Sequence, residues 1–244
     1  RLEILKGPAS ILFGNIEPGG VVNLVTKQPL SEPYAAIEGQ IGSYGLFRPT
    51  IDLSGPLRSD RLLRYRLNIA YEGFDGFRDF DQNVERFFIS PVVAWDISEN
   101  TSLSVELSYL NDQRPFDRGF VAIGRNVADI PIERFLGEPD DFRESEEIAV
   151  GYQIEHQFSD DWRIRNRFRV SSTDERDYRA EPVELDETTG ILTRNFRSND
   201  DVGESYTLQT EVAGNFATGS LNHNVLVGVD LTRQTFAGTQ SRFP

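Results

Sequence analysis

A chain of 244 residues with no cysteine and no methionine has room for one or two domains, and it excludes disulfides, thiolate chemistry and thiolate metal sites. A formal net charge of −14 and a pI of about 4.6 speak against nucleic acid as a partner, which needs a positive footprint. Mean hydropathy is −0.42 and no apolar run approaches the ~18–20 residues of a transmembrane helix, although a transmembrane β-barrel, with strands that alternate polar and apolar side chains, escapes such averages. Without Met, Arg1 is not a translation start, and the opening residues lack the basic, apolar, small-residue order of a signal peptide. A mature chain or a fragment is expected.

The first thirty residues read as strand, turn, strand. Leu2, Ile4 and Leu5 favour a strand, and Lys6-Gly7-Pro8 breaks it. Glu17-Pro18-Gly19-Gly20 puts Pro and Gly at the centre of a type II turn, where Pro presets φ and Gly takes positive φ. The run from Val21 to Thr26 is β-branched and strand-like. Pro29 and Pro33 then close this unit, so that residues 1–30 and 34–244 are expected to be separate parts of the chain.

From residue 34 onward, strand-like runs follow one another. Ala36–Ile41 and Pro49–Gly55 form a first pair, joined at Gly42-Ser43-Tyr44-Gly45. Leu62–Glu72 alternates Leu63, Tyr65, Leu67, Ile69 and Tyr71 with Arg64, Arg66, Asn68 and Glu72. Phe87–Trp95 is less regular, and Pro91 within it predicts a bulge or a locally unpaired position. Ser102–Leu110, Val150–Phe158, Trp162–Val170, Tyr206–Phe216 and Val225–Leu231 complete a set of nine strands. Short turns (Arg58–Arg61, Ser98–Thr101, Ser159–Asp161, Ala217–Ser220) alternate with long connections (Asp75–Glu85, Asn111–Glu144 and about Tyr178–Glu204). Transmembrane barrels are built this way, with short turns on the periplasmic side and long loops outside. Trp95, Phe158, Trp162 and Phe216 border the short turns, as an interfacial aromatic girdle would. The expected fold class is all-β, a partial transmembrane antiparallel β-barrel. Nine strands fall well short of the ~22 of the large plugged transporters. A soluble β-sandwich with ordinary core aromatics remains the other reading.

Side chains that could carry chemistry are present but dispersed. Asp140-Asp141, Glu146-Glu147, Asp160-Asp161 and Asp200-Asp201 fall in expected turns or loop ends, where solvated charge outweighs a catalytic pair. His156 and His223 lie on different strands without partners at metal spacing. Gly7 and Gly14 lack the Gly-Lys-Ser/Thr ending of a phosphate loop. Arg163, Arg165, Arg167 and Arg169 share one face of a strand. They read as a solvated lumen wall, with pairing to carboxylates on the segment that precedes it as a narrower idea.

As a string of residues, the opening stretch is more specific than its physics. A charged-apolar strand with Arg1 and Glu3, then Lys6-Gly7-Pro8, an aromatic before Gly14, Pro18-Gly19-Gly20 and an Asn-containing strand ending in Thr26-Lys27 resembles the end of the plug domain of TonB-dependent outer-membrane receptors. The Glu-Pro-Gly-Gly form resembles the siderophore branch, closest to the ferrichrome and ferric hydroxamate receptors. The resemblance implies that residues 1–30 close a plug and that residues 34–244 begin a barrel in a Gram-negative outer membrane. It also implies a monomer surrounded by outer-membrane lipid that imports a ferric siderophore of hydroxamate or mixed citrate-hydroxamate type. The work comes from the TonB complex of the inner membrane, contacted through a segment absent from this sequence. The siderophore carries the iron, so no cofactor, protein iron ligand or enzymatic step is implied. In such receptors aromatics of the plug apex and the extracellular loops enclose the cargo. Carried over residue by residue, these are Phe13 on the plug (where the ferrichrome-type receptors have Tyr), the Phe116-Asp117-Arg118-Gly119-Phe120 block in the longest loop, and Tyr178 past a long strand. Loop self-packing is the bland alternative for Phe116 and Phe120, and a girdle role for Tyr178. Aromatic walls with donors such as Arg118 suit a compact chelate with an apolar rim and oxygen-rich edge. Cobalamin, haem or a glycan as cargo, an unplugged porin or adhesin, and a soluble β-rich hydrolase stay open as alternatives.

Overall fold

The computed structural model describes residues 2–6, 20–80 and 83–243. Phe13, Pro18 and Gly19, and with them most of the expected turn, lie outside the described residues. The flanking strands, β1 (Leu2–Lys6) and β2 (Gly20–Leu24), pair antiparallel with Leu2 opposite Leu24. Gly20 opens β2 where an added Cβ would stand 2.5 Å from the Leu5 carbonyl oxygen, so any side chain there would push the strands apart.

All other long strands join one antiparallel sheet in strict chain order. They are β3 (Tyr34–Ile41), β4 (Phe47–Pro56), β5 (Leu63–Phe74), β6 (Val84–Ser98), β7 (Thr101–Arg114), β10 (Phe142–Gln157), β11 (Trp162–Asp186), β12 (Ile191–Thr218) and β13 (Leu221–Phe243). A minor hairpin, β8 (Ala122–Ile123) and β9 (Asn126–Val127), lies in the connection between β7 and β10. The nine expected strands are all present, but several are much longer than their hydrophobic runs. The stretch Tyr178–Glu204, expected as a loop, is instead the far half of the β11–β12 hairpin, turning at residues 187–190. Pro91 interrupts its ladder without a bulge. Ile89 opposes Tyr109 and Val92 opposes Glu106 in unchanged register, with the two intervening pairs open.

Among the described residues the sheet has no second layer. The buried hydrophobic residues among those described are Val92, Ala128, Phe135, Ala149 and Ala180, too few and too small for a sandwich core. Its apolar row instead points outward: Ile148, Val150, Tyr152 and Ile154 of β10 are each 36–44% exposed. Below them Trp95, Phe158, Trp162 and Phe216 form the outward girdle at the short-turn end, with Trp162 stacked on Phe216 at 6.5 Å. Gly214, opposite Trp162, leaves room for that ring, since a Cβ would sit 2.3 Å from it. Along β11 from Trp162, the level of the Phe87–Tyr109 aromatic pair arrives after about ten residues, the length a tilted strand needs to cross a bilayer. His156 and His223 sit at the short-turn end against Phe158 and Phe216, ring centroids 4.8 Å apart in each case.

The opposite face is polar and cross-linked. Arg165 spans Glu155 and Glu211 at 2.7 and 2.6 Å, Arg167 donates to Gln153, and Arg169 pairs with Glu106. These three arginines find partners on the wall itself, on strands β7, β10 and β12. Arg66 and Asp52 form a two-pronged pair on the same face, joined by Lys27 from the segment after β2. Arg66 also donates to the Gln28 carbonyl, and the Leu30 amide donates to Ser54 Oγ. The segment leading from β2 is thereby fastened to the polar face.

Candidate functional site

Past the aromatic band the sheet continues as a stalk of β11, β12 and β13, and the long connection 115–141 folds against it. Four contacts hold the two together. Arg118 donates to Glu181 at 2.9 Å, and the Gly124 amide to Glu187 at 2.9 Å. Arg194 donates to the carbonyls of Leu136 and Gly137 and to Glu138. The Ala180 amide donates to both oxygens of Asp141, at 2.9 and 3.0 Å. Burial pushes the Asp141 carboxyl above its ordinary value, against the pull of the amides of Glu138 and Ala180.

Phe116 and Arg118 meet in this cleft. Arg179 lies over the Phe116 ring at 4.5 Å and Arg118 at 5.9 Å. Phe120 joins them through Arg78, which is 4.8 Å from the Phe120 centroid and 5.0 Å from that of Phe77. Arg78 also pairs with Asp117 at 2.8 Å and donates to the carbonyls of Ile132 and Arg134. Alternation along β11 puts Tyr178 on the face opposite Arg179. There it stacks on Phe196, centroids 6.0 Å apart, as an outward aromatic pair. The cleft thus unites Phe116, Arg118 and Phe120, but not Tyr178.

Three residues central to the cleft escaped the sequence reading: Arg78, Arg179 and Arg197. Glu181 lies between Arg118 and Arg197, whose Nε stands 2.7 Å from its second oxygen but off-axis for a hydrogen bond. Asp177 contacts Arg179 and accepts from Asn199. The Asp177–Arg179–Glu181 alternation was visible in the sequence, but with charge on it no hydrophobic periodicity marked a strand. Chemically, the cleft offers aromatic walls and guanidinium donors, a surface for an oxygen-rich ligand.

Residues 94–243 match the family described as TonB dependent receptor-like, beta-barrel. Over 96% of its length the chain is 36% identical to the metal-pseudopaline receptor CntO of Pseudomonas aeruginosa, covering 33% of that protein. It is 26% identical to the ferrichrome outer membrane transporter/phage receptor of Escherichia coli, over 96% of this chain and 34% of that one. Among solved structures, the ferripyoverdine receptor of the P. aeruginosa outer membrane superposes with a TM-score of 0.90 at 20% identity, over 98% of this chain and 32% of that chain. The chain spans about a third of the length of the curated relatives it matches.

Proposed function

The chain belongs to the TonB-dependent receptor family, and from that premise we propose that it forms part of the barrel wall of an outer-membrane receptor that imports a ferric siderophore, of hydroxamate or mixed citrate-hydroxamate type. The observation that carries this reading is the cleft of Phe116, Arg118 and Phe120, set on the long-loop end of a wall whose outer face is apolar and whose other face is polar. Residues 1–30 are then the end of the plug, and the contacts of Lys27, Gln28 and Leu30 with Asp52, Arg66 and Ser54 tie it to the lumen side of the wall. The receptor works as a monomer in lipid. It performs no covalent chemistry and holds no resident cofactor, since the siderophore carries the iron. The TonB complex supplies the work of release.

The test is energy-dependent uptake of radio-iron by the whole receptor, in a strain lacking its own siderophore receptors. Uptake from a hydroxamate or citrate-hydroxamate chelate, abolished by a protonophore and reduced by Phe120→Ala, is expected. No uptake from any siderophore, with the receptor verified in the membrane, would move the cargo to cobalamin, haem or a glycan.

A further inference from the structure

The three strands of the stalk carry arginines in register. Arg179 stands directly opposite Arg197, and Arg197 directly opposite Arg242, so a row of three like charges crosses β11, β12 and β13. Like charges opposed on neighbouring strands destabilise a sheet. Arg118 reaches the same place from the long connection, through its pair with Glu181.

The carboxylates present do not balance this row. Asp177 contacts Arg179, and Glu181 is shared by Arg118 and Arg197, while Arg242 lies against the side-chain amide of Asn195, whose oxygen accepts at 2.6 and 2.8 Å in the amide orientation that satisfies both groups. Among the described residues, four guanidinium groups thus share the two carboxylates of Asp177 and Glu181, with the charge of Asp141 also acting on Arg179, within a chain whose net charge is −14. Arg179 is 6% exposed, and its Nε is buried without a hydrogen-bond partner, whereas the Arg197 Nε stands 2.7 Å from Glu181. Burial and the charges of Arg118 and Arg197 pull the Arg179 guanidinium below its ordinary value, with Glu181 and Asp141 opposing them. Buried, unmatched donors of this kind cost stability unless something occupies them. Arg118, with 47% of its side chain exposed, keeps the cleft open to a ligand.

We propose that the Arg179–Arg197–Arg242 row, with Arg118, seats the carboxylate groups of an anionic ferric chelate, whose apolar part lies on Phe116. Glu181 already shows the geometry, one carboxylate held between two guanidinium groups. A guanidinium presents five N–H donors in a fixed fork, which leaves donors on each arginine for a second carboxylate. This inference rests on the siderophore reading and narrows it to the carboxylate-bearing kind.

The test is direct binding to the purified whole receptor, followed by quenching of tryptophan fluorescence. The probes are ferric aerobactin, whose side-arm carboxylates stay off the iron, and ferric schizokinen and ferrichrome, which carry no free carboxylate. Ferric aerobactin should bind at least about tenfold more tightly than either, with the difference shrinking as salt rises. Arg197→Gln should lower its affinity about tenfold and leave any binding of the other two unchanged. Arg118→Gln, at a half-exposed position, serves as the second variant should Arg197→Gln fail to fold, and heat-modifiable migration on gels reports folding. Preference for ferrichrome, or equal losses for all three chelates in a folded variant, would overturn the carboxylate seat and leave the siderophore reading standing. Binding of none of the three by a folded receptor would overturn both.

Discussion

Arg78 keeps only 12% of its side chain exposed and spends every edge of its guanidinium on a neighbour: Asp117, the carbonyls of Ile132 and Arg134, and the rings of Phe77 and Phe120. Its role is to fasten the connection after β5 to the one after β7. Arg134 adds a pair with Asp79 at 3.0 Å, and the Asp79 amide donates to the Glu133 carbonyl. Arg78→Ala should destabilise this junction by about 1–3 kcal/mol, the cost of leaving its acceptors unmatched. Faster hydrogen exchange across residues 115–135, with the membrane strands unchanged, is the expected signature. Arg78→Lys should not restore protection, because an ammonium cannot serve a carboxylate and two carbonyls as a planar fork while lying between two rings. Asp141 makes the residue scale pH-dependent. It is 4% exposed, and its folded pKa is raised, so between the ordinary carboxylate value and the raised one the folded state holds a proton that the unfolded state has lost. Its contribution to stability is greatest below the ordinary value and declines as pH rises through the folded one. Asp141→Asn should flatten that pH dependence in the exchange protection of the Ala180 amide.

The β11–β12 hairpin decides how far the wall stands above the bilayer. About ten residues of β11 suffice to cross, and the strand continues to Asp186. Replacing residues 181–195 by a short turn should leave a heat-modifiable barrel, since no membrane-crossing pair is touched. It should reduce chelate binding at least about tenfold, since Glu181 and Asn195 go and Arg179 and Arg197 lose their setting. Retained affinity would place the cargo elsewhere. The same hairpin marks where the sequence stopped being legible. Within the bilayer one face of a strand must be apolar, so Val150 to Phe158 or Ser102 to Leu110 announce themselves by a period of two. Above it polar and charged side chains occupy both faces, as with Asp174, Arg176, Asp177 and Arg179, and only backbone pairing shows the strand. For the same reason the sequence yielded the aromatic block around Phe116 and Phe120 but not the arginine row, which exists only through the register of three strands.

At the scale of the molecule, the sheet works by inversion, with its apolar side chains facing out and its ion pairs facing the other way. A charge on the outer row should therefore be costly. Val150→Arg should destabilise the barrel by about 2–4 kcal/mol if it lies near the midplane, whereas Ser104→Arg on the polar face should be tolerated. Among the described residues the wall also leaves two edges: β3 pairs only with β4, and β13 only with β12. On an antiparallel edge strand about half of the backbone N–H and C=O groups point to the missing neighbour. Each such group left in hydrocarbon costs several kcal/mol, which the wall's side-chain ion pairs cannot offset, because they lie on a face and not along the edge. The nine-stranded sheet is therefore a membrane structure only when other strands close it. Exported to the periplasm by itself, residues 1–244 should aggregate or be degraded, and in detergent should show no heat-modifiable migration. The receptor that carries the segment should show both membrane insertion and that migration. A stable, heat-modifiable species formed from this segment alone would mean that β3 and β13 find each other or a second copy, and that closure does not depend on the rest of a receptor.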